Sequence, residues 1–100
     1  MQVGVYLNQH RNTAIVVKVA GQKCAYLTIM SGRITVERSG TERFETDWPI
    51  HLSDYDVMAA IKKYSKSGLY ASDEAVELIK QIYAAQKARK AATTTKPRSK

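Results

Sequence analysis

Apolar and polar residues alternate with a period of two over the first half of the chain, and glycines separate the alternating segments. Thr13–Val19 and Lys23–Met30 are the clearest examples. Such alternation places successive side chains on opposite faces of a strand, and glycine permits the tight turns that join antiparallel strands. The pattern predicts about five short, mostly antiparallel strands between residues 3 and 46, the last at Glu42–Thr46 around Phe44.

After Pro49 the apolar residues recur at intervals of three and four, which is the spacing of an amphipathic helix. Ser53 and Asp56 resemble an N-terminal capping box, with Asp in the position usually held by Glu or Gln. Gly68 suits the left-handed residue that ends many helices, and Ser72 is a second candidate N-cap. The pattern predicts two helices, over about residues 54–67 and 73–90.

The separation of the two periodicities predicts an α+β fold in one domain, residues 1–90, with the sheet before Pro49 and the helices after it. The last residues, 91–100, contain three consecutive threonines, a proline and no large apolar side chain. Such a segment buries too little apolar surface to offset the conformational entropy lost on folding. We therefore expect residues 91–100 to form a disordered basic tail.

The order of strands and turns in the first half runs through Val3–Tyr6, Ala14–Val19, Gly21 and Ala25–Leu27. In strand number and turn placement, this part of the chain, about residues 1–50, resembles SH3-like small β-barrel domains. The resemblance implies an SH3-like barrel or a curved sheet, and a function in binding nucleic acid, peptides or other proteins. The whole chain is also similar to small accessory proteins of bacteriophages, which often bind host proteins.

Composition excludes several classes of protein. Apolar residues make up 44% of the chain and charged residues 25%, as is usual for folded globular proteins. Uninterrupted apolar stretches such as Ala14–Val17 are far shorter than the about 20 residues of a membrane-spanning helix, and the N-terminus lacks the pattern of a secretory signal. The single cysteine, Cys24, forms no internal disulfide. We therefore expect a soluble cytoplasmic protein that does not bind membranes.

Candidate catalytic and metal-binding residues are few. Cys24 lies in a predicted strand, where a small buried side chain is a simpler interpretation than a nucleophile. His10 and His51 lack the spacing of a zinc site, and Asp54 and Asp56 stand where a helix N-terminus attracts negative charge. No phosphate-binding loop or nucleophile motif occurs. We therefore expect no enzymatic activity, no cofactor and no metal.

The net charge of +7 is concentrated at the C-terminus. The chain up to Gln86 carries ten basic residues and all nine acidic ones, a net charge of +1. Clustered basic residues neutralise nucleic-acid phosphates and release counterions, whereas a solubilising helix end with a frayed terminus is the alternative interpretation. The basic residues that follow Gln86 are Lys87, Arg89, Lys90, Lys96, Arg98 and Lys100.

Two tyrosines in the predicted strands suggest a second kind of nucleic-acid contact. Tyr6 and Tyr26 are predicted to project from the face opposite the main apolar one, with Lys18 and Arg33 near them. Exposed rings beside basic groups on a small barrel bind single-stranded nucleic acid by stacking. In the alternative interpretation, both rings pack against the helices or are half-buried with the hydroxyl in water.

The sequence thus leaves two hypotheses for function. The first is a non-enzymatic accessory protein that binds nucleic acid, either DNA or RNA, mainly through non-specific phosphate contacts of the basic C-terminal segment. The alternative is a protein-interaction module, such as an inhibitor or adaptor that acts on a host protein, with an incidental basic tail. Exposed strand edges would also permit a dimer.

Overall fold

The computed structural model of the 100-residue chain describes the backbone of residues 1–98 and the side chains of residues 1–88. Strands dominate the first half of the chain and helices the second. Within residues 1–98 the elements are, in chain order, β1 (Gly4–Leu7), β2 (Thr13–Ala20), β3 (Lys23–Met30), β4 (Arg33–Gly40), α1 (Thr41–Asp47), β5 (Ile50–Leu52), α2 (Val57–Ser65), β6 (Tyr70–Ala71) and α3 (Asp73–Arg98).

The strands of the described chain form one six-stranded sheet in the order β5-β1-β2-β3-β4-β6. Neighbouring strands are antiparallel, except that β4 and β6 are parallel. The β2–β3 and β3–β4 hairpins turn at Gly21 and Gly32, whose φ angles are +61° and +74°. Because glycine adopts such angles without steric cost, the predicted use of glycine in these turns is confirmed.

One face of the sheet is covered by α2 and α3. Ile15, Leu27 and Ile61 are at most 2% exposed there, and the fully buried Ala75 brings the first turn of α3 close to the sheet. Burial of this apolar surface is the main source of stability on this side. We call this cluster the main core; its buried members are Val5, Ile15, Leu27, Ile34, Val36, Ala60, Ile61 and Ala75.

The opposite face is covered by α1 and forms a second core. Phe44 of α1 is 1% exposed and packs edge-on against Tyr6 and Tyr26, with ring centroids 5.1 and 4.7 Å apart. Trp48, which follows α1, is also buried and stacks on Phe44. Ala14–Val16 of β2 is buried on both faces, because the sheet lies between α1 on one side and α2 with α3 on the other.

The predicted strand at Glu42–Thr46 is wrong, because this segment lies in helix α1. A lone aromatic residue between charged ones provides no alternation that would stabilise a strand. The helical spacing of four residues instead places Phe44 and Trp48 on one side of the segment. The same spacing joins Arg43 and Asp47 in an ion pair of 2.9 Å. A third helix therefore replaces the last predicted strand.

The α+β class is confirmed, but the sheet has more strands than predicted and two open edges. β5 follows Pro49 directly and pairs with β1, while β6 consists of two residues that pair with β4. Segments of two or three residues are too short for alternation to identify them. Because β5 and β6 are the edges of the sheet, the strands form an open sheet rather than an SH3-like barrel.

Both predicted C-terminal helices are present, with shifted limits. α2 begins at Val57 rather than near residue 54, because Asp56 and not Ser53 is its N-cap. The Asp56 carboxylate accepts a hydrogen bond of 2.8 Å from the Ala59 N–H. Ser72 is the N-cap of α3, as predicted, and its hydroxyl accepts a hydrogen bond of 3.2 Å from the Ala75 N–H. Side-chain capping therefore sets the start of each helix.

The C-terminal end of the chain is described only in part. The backbone of α3 extends to Arg98, beyond the predicted helix end at residue 90. The predicted disordered tail, residues 91–100, lies outside the residues whose side chains are described. Among the helices of residues 1–98, none is long and apolar enough to cross a membrane.

Candidate nucleic-acid interface

Tyr6 and Tyr26 lie in the second core rather than on an exposed surface. They are 6% and 8% exposed, and Phe44 contacts both rings. Burial is the largest cause of the raised pKa of both phenols, since removal from water disfavours the charged phenolate. The two rings therefore occupy the positions that the packing alternative describes, and neither presents an open face on which a nucleobase can stack.

Lys18 is directed away from these tyrosines by a β-bulge in β2. The register between β2 and β3 shifts between Val16 and Lys18, so that Val16 pairs with Tyr26 whereas Lys18 pairs with Ala25. One additional residue inverts the alternation of every residue that follows it in the strand. Lys18 therefore leaves the sheet on the face of the main core, and the predicted grouping of Lys18 with Tyr6 and Tyr26 does not form.

Lys18 instead lines a groove of about 410 Å³ together with Lys23 and Arg38, at the end of the sheet where β2 turns into β3. The Arg38 guanidinium donates a hydrogen bond of 2.8 Å to Oε2 of Glu74 on α3. This ion pair neutralises one of the three cations. The remaining positive charge of the groove comes from Lys18 and Lys23, both of which are exposed.

Arg33 lies at the opposite end of the sheet from Lys18. It is the first residue of β4 and pairs with Met30 on β3 and with Tyr70 on β6. Its guanidinium carbon is 5.8 Å from the centroid of the Tyr70 ring, within the range of a cation–π contact. Tyr70 is 64% exposed. Arg33 therefore does lie beside an exposed aromatic ring, although not beside either of the predicted ones.

A second cation–aromatic pair lies at the same end of the sheet. Nζ of Lys63 is 5.5 Å from the centroid of the Tyr64 ring, and the Tyr64 hydroxyl is 3.4 Å from Oγ1 of Thr13. Thr13 is the first residue of β2. The strand pairing aligns it, across β3 and β4, with Ala71 of β6, three strands away. Three strand spacings amount to about 14 Å, and the two pairs project from opposite faces of the sheet, because Tyr64 packs against the main core whereas Arg33 and Tyr70 alternate with Ile34 and Ala71, which pack there.

Further basic residues surround these two pairs. Arg11 lies in the loop between β1 and β2, and Lys66 caps the C-terminus of α2 where the chain turns toward β6. The basic residues of this surface are exposed, and none belongs to an ion pair described among residues 1–88. We call this surface the sheet-end patch; its members are Arg11, Arg33, Lys62, Lys63, Tyr64, Lys66 and Tyr70.

Arg33 is the only member of the sheet-end patch that the sequence predicts to contact nucleic acid. The members come from separate segments of the chain, and only the tertiary structure brings them to one end of the sheet. A local signal exists in Lys62, Lys63 and Lys66, three basic residues near the end of one helix. Tyr70 carries no such signal, because the two residues of β6 show no periodicity.

The basic C-terminal segment follows the last residues of α3 that pack against the main core within the described side chains. Ile82 and Tyr83 pack against the main core, and Gln86 lines a groove beside β1. Lys87 is exposed. Lys87 is the one predicted tail residue whose side chain the structure places. The remaining predicted residues lie outside the described side chains: Arg89, Lys90, Lys96, Arg98 and Lys100.

Two other side chains with reactive groups, Cys24 and His51, pack in the second core or against it. Cys24 is 4% exposed, and its thiol is 3.6 Å from the Ser39 carbonyl oxygen. The His51 ring stacks on Tyr6 with centroids 4.5 Å apart. Among the described residues, no three His, Cys, Asp or Glu side chains are grouped to hold a metal ion. A groove of about 770 Å³ between β1, β5, α2 and α3 is lined by both polar and apolar side chains.

Comparison with known proteins assigns no family to this chain. No family model, no curated protein and no solved structure matches it. Its function is therefore inferred from the geometry and the charge of the chain itself.

Proposed function

We propose that this chain is a non-enzymatic accessory protein that binds nucleic acid, mainly through phosphate contacts of the basic residues after Gln86. The proposal rests on the position of these residues along the chain. They begin just after Ile82 and Tyr83, the last residues of α3 that pack against the main core within the described side chains. Lys87, the first of them, is exposed.

The distribution of charge supports contact between this segment and a polyanion. Six basic residues and no acidic residue follow Gln86, whereas the preceding part of the chain has a net charge of +1. Each Lys or Arg that neutralises a phosphate releases condensed counterions, and this gain does not depend on base sequence. We therefore expect non-specific binding that weakens steeply as salt is added.

The test compares two triple variants with equal loss of charge. The first removes three basic residues from the C-terminal segment: Lys87→Gln, Arg89→Gln and Lys90→Gln. The matched control removes three exposed basic residues of the folded body: Lys23→Gln, Arg38→Gln and Arg43→Gln. Affinity for a fluorescently labelled oligonucleotide is measured by anisotropy at about 0.1 M salt, a concentration at which phosphate contacts still contribute strongly.

We expect the segment variant to bind on the order of a hundredfold more weakly than the unmodified chain, since each lost phosphate contact costs about fivefold at this salt concentration. The control should lose much less, because its residues make no direct contact. Equal losses in the two variants would contradict the assignment to the C-terminal segment. No binding by the unmodified chain would contradict the proposal and favour the protein-interaction alternative, for which a pull-down would then identify the partner.

A further inference from the structure

We infer that the sheet-end patch binds unpaired nucleobases, so that the nucleic acid this protein prefers is single-stranded. The inference rests on the proposed function and adds a second contact to it. Both cation–aromatic pairs described in residues 1–88, Arg33 with Tyr70 and Lys63 with Tyr64, lie at this one end of the sheet. Elsewhere in the described body the aromatic rings of the second core are buried.

Tyr70 has the geometry of a stacking platform. Its ring is 64% exposed although it belongs to a strand, and the Arg33 guanidinium lies 5.8 Å from its centroid. Aromatic rings and guanidinium planes are the groups on which unpaired bases stack, and every base offers a suitable face. Bases in a duplex are already stacked on one another, so this contact distinguishes single strands from duplexes.

Basic and acidic side chains both lie near Tyr70. On the same face of β4 the nearest acidic residue is Glu37, about 13 Å from Arg33, and the exposed Asp73 follows Tyr70 by three residues at the start of α3. Arg11 and Lys66 are exposed at the same end of the sheet and belong to no ion pair described for residues 1–88. Lys66, four residues before Tyr70 in the chain, supplies a cation for a phosphate beside a stacked base, whereas Arg11, in the β1–β2 loop, lies at least three strand spacings, about 14 Å, from β6.

The second pair lies on the other face of the sheet. Tyr64 packs against the main core, whereas Arg33 and Tyr70 project from the opposite face, because their neighbours Ile34 and Ala71 pack in the main core. The proposed stacking contact is therefore made by Tyr70. Lys66, at the C-terminal end of α2, is the basic residue of the patch that is closest to Tyr70 along the chain.

The sheet-end patch is separate from the basic C-terminal segment. Tyr70 lies on β6 at one edge of the sheet, whereas Gln86 lines a groove with Gln2 and Gly4 beside β1, near the other edge. α3 extends about 20 Å from Asp73 to Gln86. Because the two contacts share no residues, a change in one should leave the contribution of the other unaltered.

The experiment uses three variants of the full chain. Tyr70→Ala removes the platform, and Tyr70→Phe keeps the ring but removes the hydroxyl. Tyr55→Ala is the matched control, because Tyr55 is 58% exposed but belongs to neither cation–aromatic pair. Affinities are measured for oligothymidylate, for oligouridylate and for a mixed-sequence duplex of the same length. Circular dichroism establishes that each variant is folded.

We expect Tyr70→Ala to bind both single strands about five- to 150-fold more weakly, the range found when one base–aromatic stack is removed. Its affinity for the duplex should stay unchanged, and Tyr70→Phe and Tyr55→Ala should bind like the unmodified chain. Undiminished binding of single strands by Tyr70→Ala, or equal losses for single strands and duplex, would overturn the inference but leave the proposed function standing. If the unmodified chain bound neither the single strands nor the duplex, both this inference and the proposed function would be contradicted.

Discussion

Phe44 is the residue that joins α1 to the sheet. Its ring is 1% exposed and contacts Tyr6, Tyr26 and Trp48. Aromatic pairs in edge-on or stacked geometry add to the free energy gained from burial alone. The stability of the second core therefore depends on this one side chain more than on any charged residue of α1, all of which are exposed.

Phe44→Ala should lower the free energy of unfolding by about 3–5 kcal/mol, because it removes a buried ring and leaves a cavity among three aromatic side chains. Urea unfolding followed by the fluorescence of Trp48, the single tryptophan, measures this loss. Tyr55→Ala, at a site that is 58% exposed, should change stability by no more than about 0.5 kcal/mol. A loss for Phe44→Ala as small as that of the control would contradict the packing described for α1.

Tyr6 and Tyr26 should ionise only above the ordinary tyrosine pKa of about 10, because burial raises the pKa of both phenols. The folded protein then holds these protons more tightly than the unfolded chain. The resulting stability is complete below the unfolded pKa and is lost as pH rises through the folded pKa. An absorbance titration of phenolate measures the transitions. Ionisation of all six tyrosines in a single step near the ordinary value would contradict this prediction.

At the level of secondary-structure elements, the length of each element determined whether the sequence pattern predicted it. β2, β3 and β4 have eight residues each, enough for a period of two to be recognised. α1 has seven residues, and its helical signal is confined to two pairs spaced by four, Phe44 with Trp48 and Arg43 with Asp47. β5 and β6 exist because β1 and β4 offer free edges, which no local pattern reports.

The candidate interface was less predictable than the fold, for two physical reasons. The face on which Lys18 leaves the sheet depends on a bulge, and alternation read along the sequence passes through a bulge without detecting it. The exposure of Tyr70 depends on a two-residue edge strand. The excess of positive charge after Gln86 could be counted directly from the sequence, because the count does not depend on how the strands pair.

The start of α2 depends on the side-chain hydrogen bond of its N-cap, Asp56. Asp56→Ala should lower the free energy of unfolding by about 1 kcal/mol, because the Ala59 N–H then loses the acceptor that caps the helix. Ser53→Ala should have little effect, since Ser53 lies before the cap. Urea unfolding of the two variants side by side measures the difference. A larger loss for Ser53→Ala would show that the capping box of the sequence pattern sets the start of the helix after all.

At the level of the whole molecule, the excess of positive charge follows Gln86. In the preceding part of the chain, charges of both signs are interspersed. Five of its ten basic residues belong to the sheet-end patch, and Asp54 and Asp56 line one groove with Lys63 and Tyr64 of that patch. We therefore expect the C-terminal segment to provide the larger, sequence-independent attraction for a polyanion.

The salt dependence of binding distinguishes attachment through the basic C-terminal segment from attachment through the rest of the chain. The logarithm of affinity for a single-stranded oligonucleotide is plotted against the logarithm of salt concentration for the full chain and for a chain that ends at Gln86. The shorter chain should stay folded by circular dichroism, because Ile82 and Tyr83 still pack against the main core. We predict weaker binding and a slope shallower by up to about 4, since each of the six lost cations contributes about 0.7. Unchanged affinity and slope in the folded, shortened chain would contradict the claim that the basic C-terminal segment holds the nucleic acid.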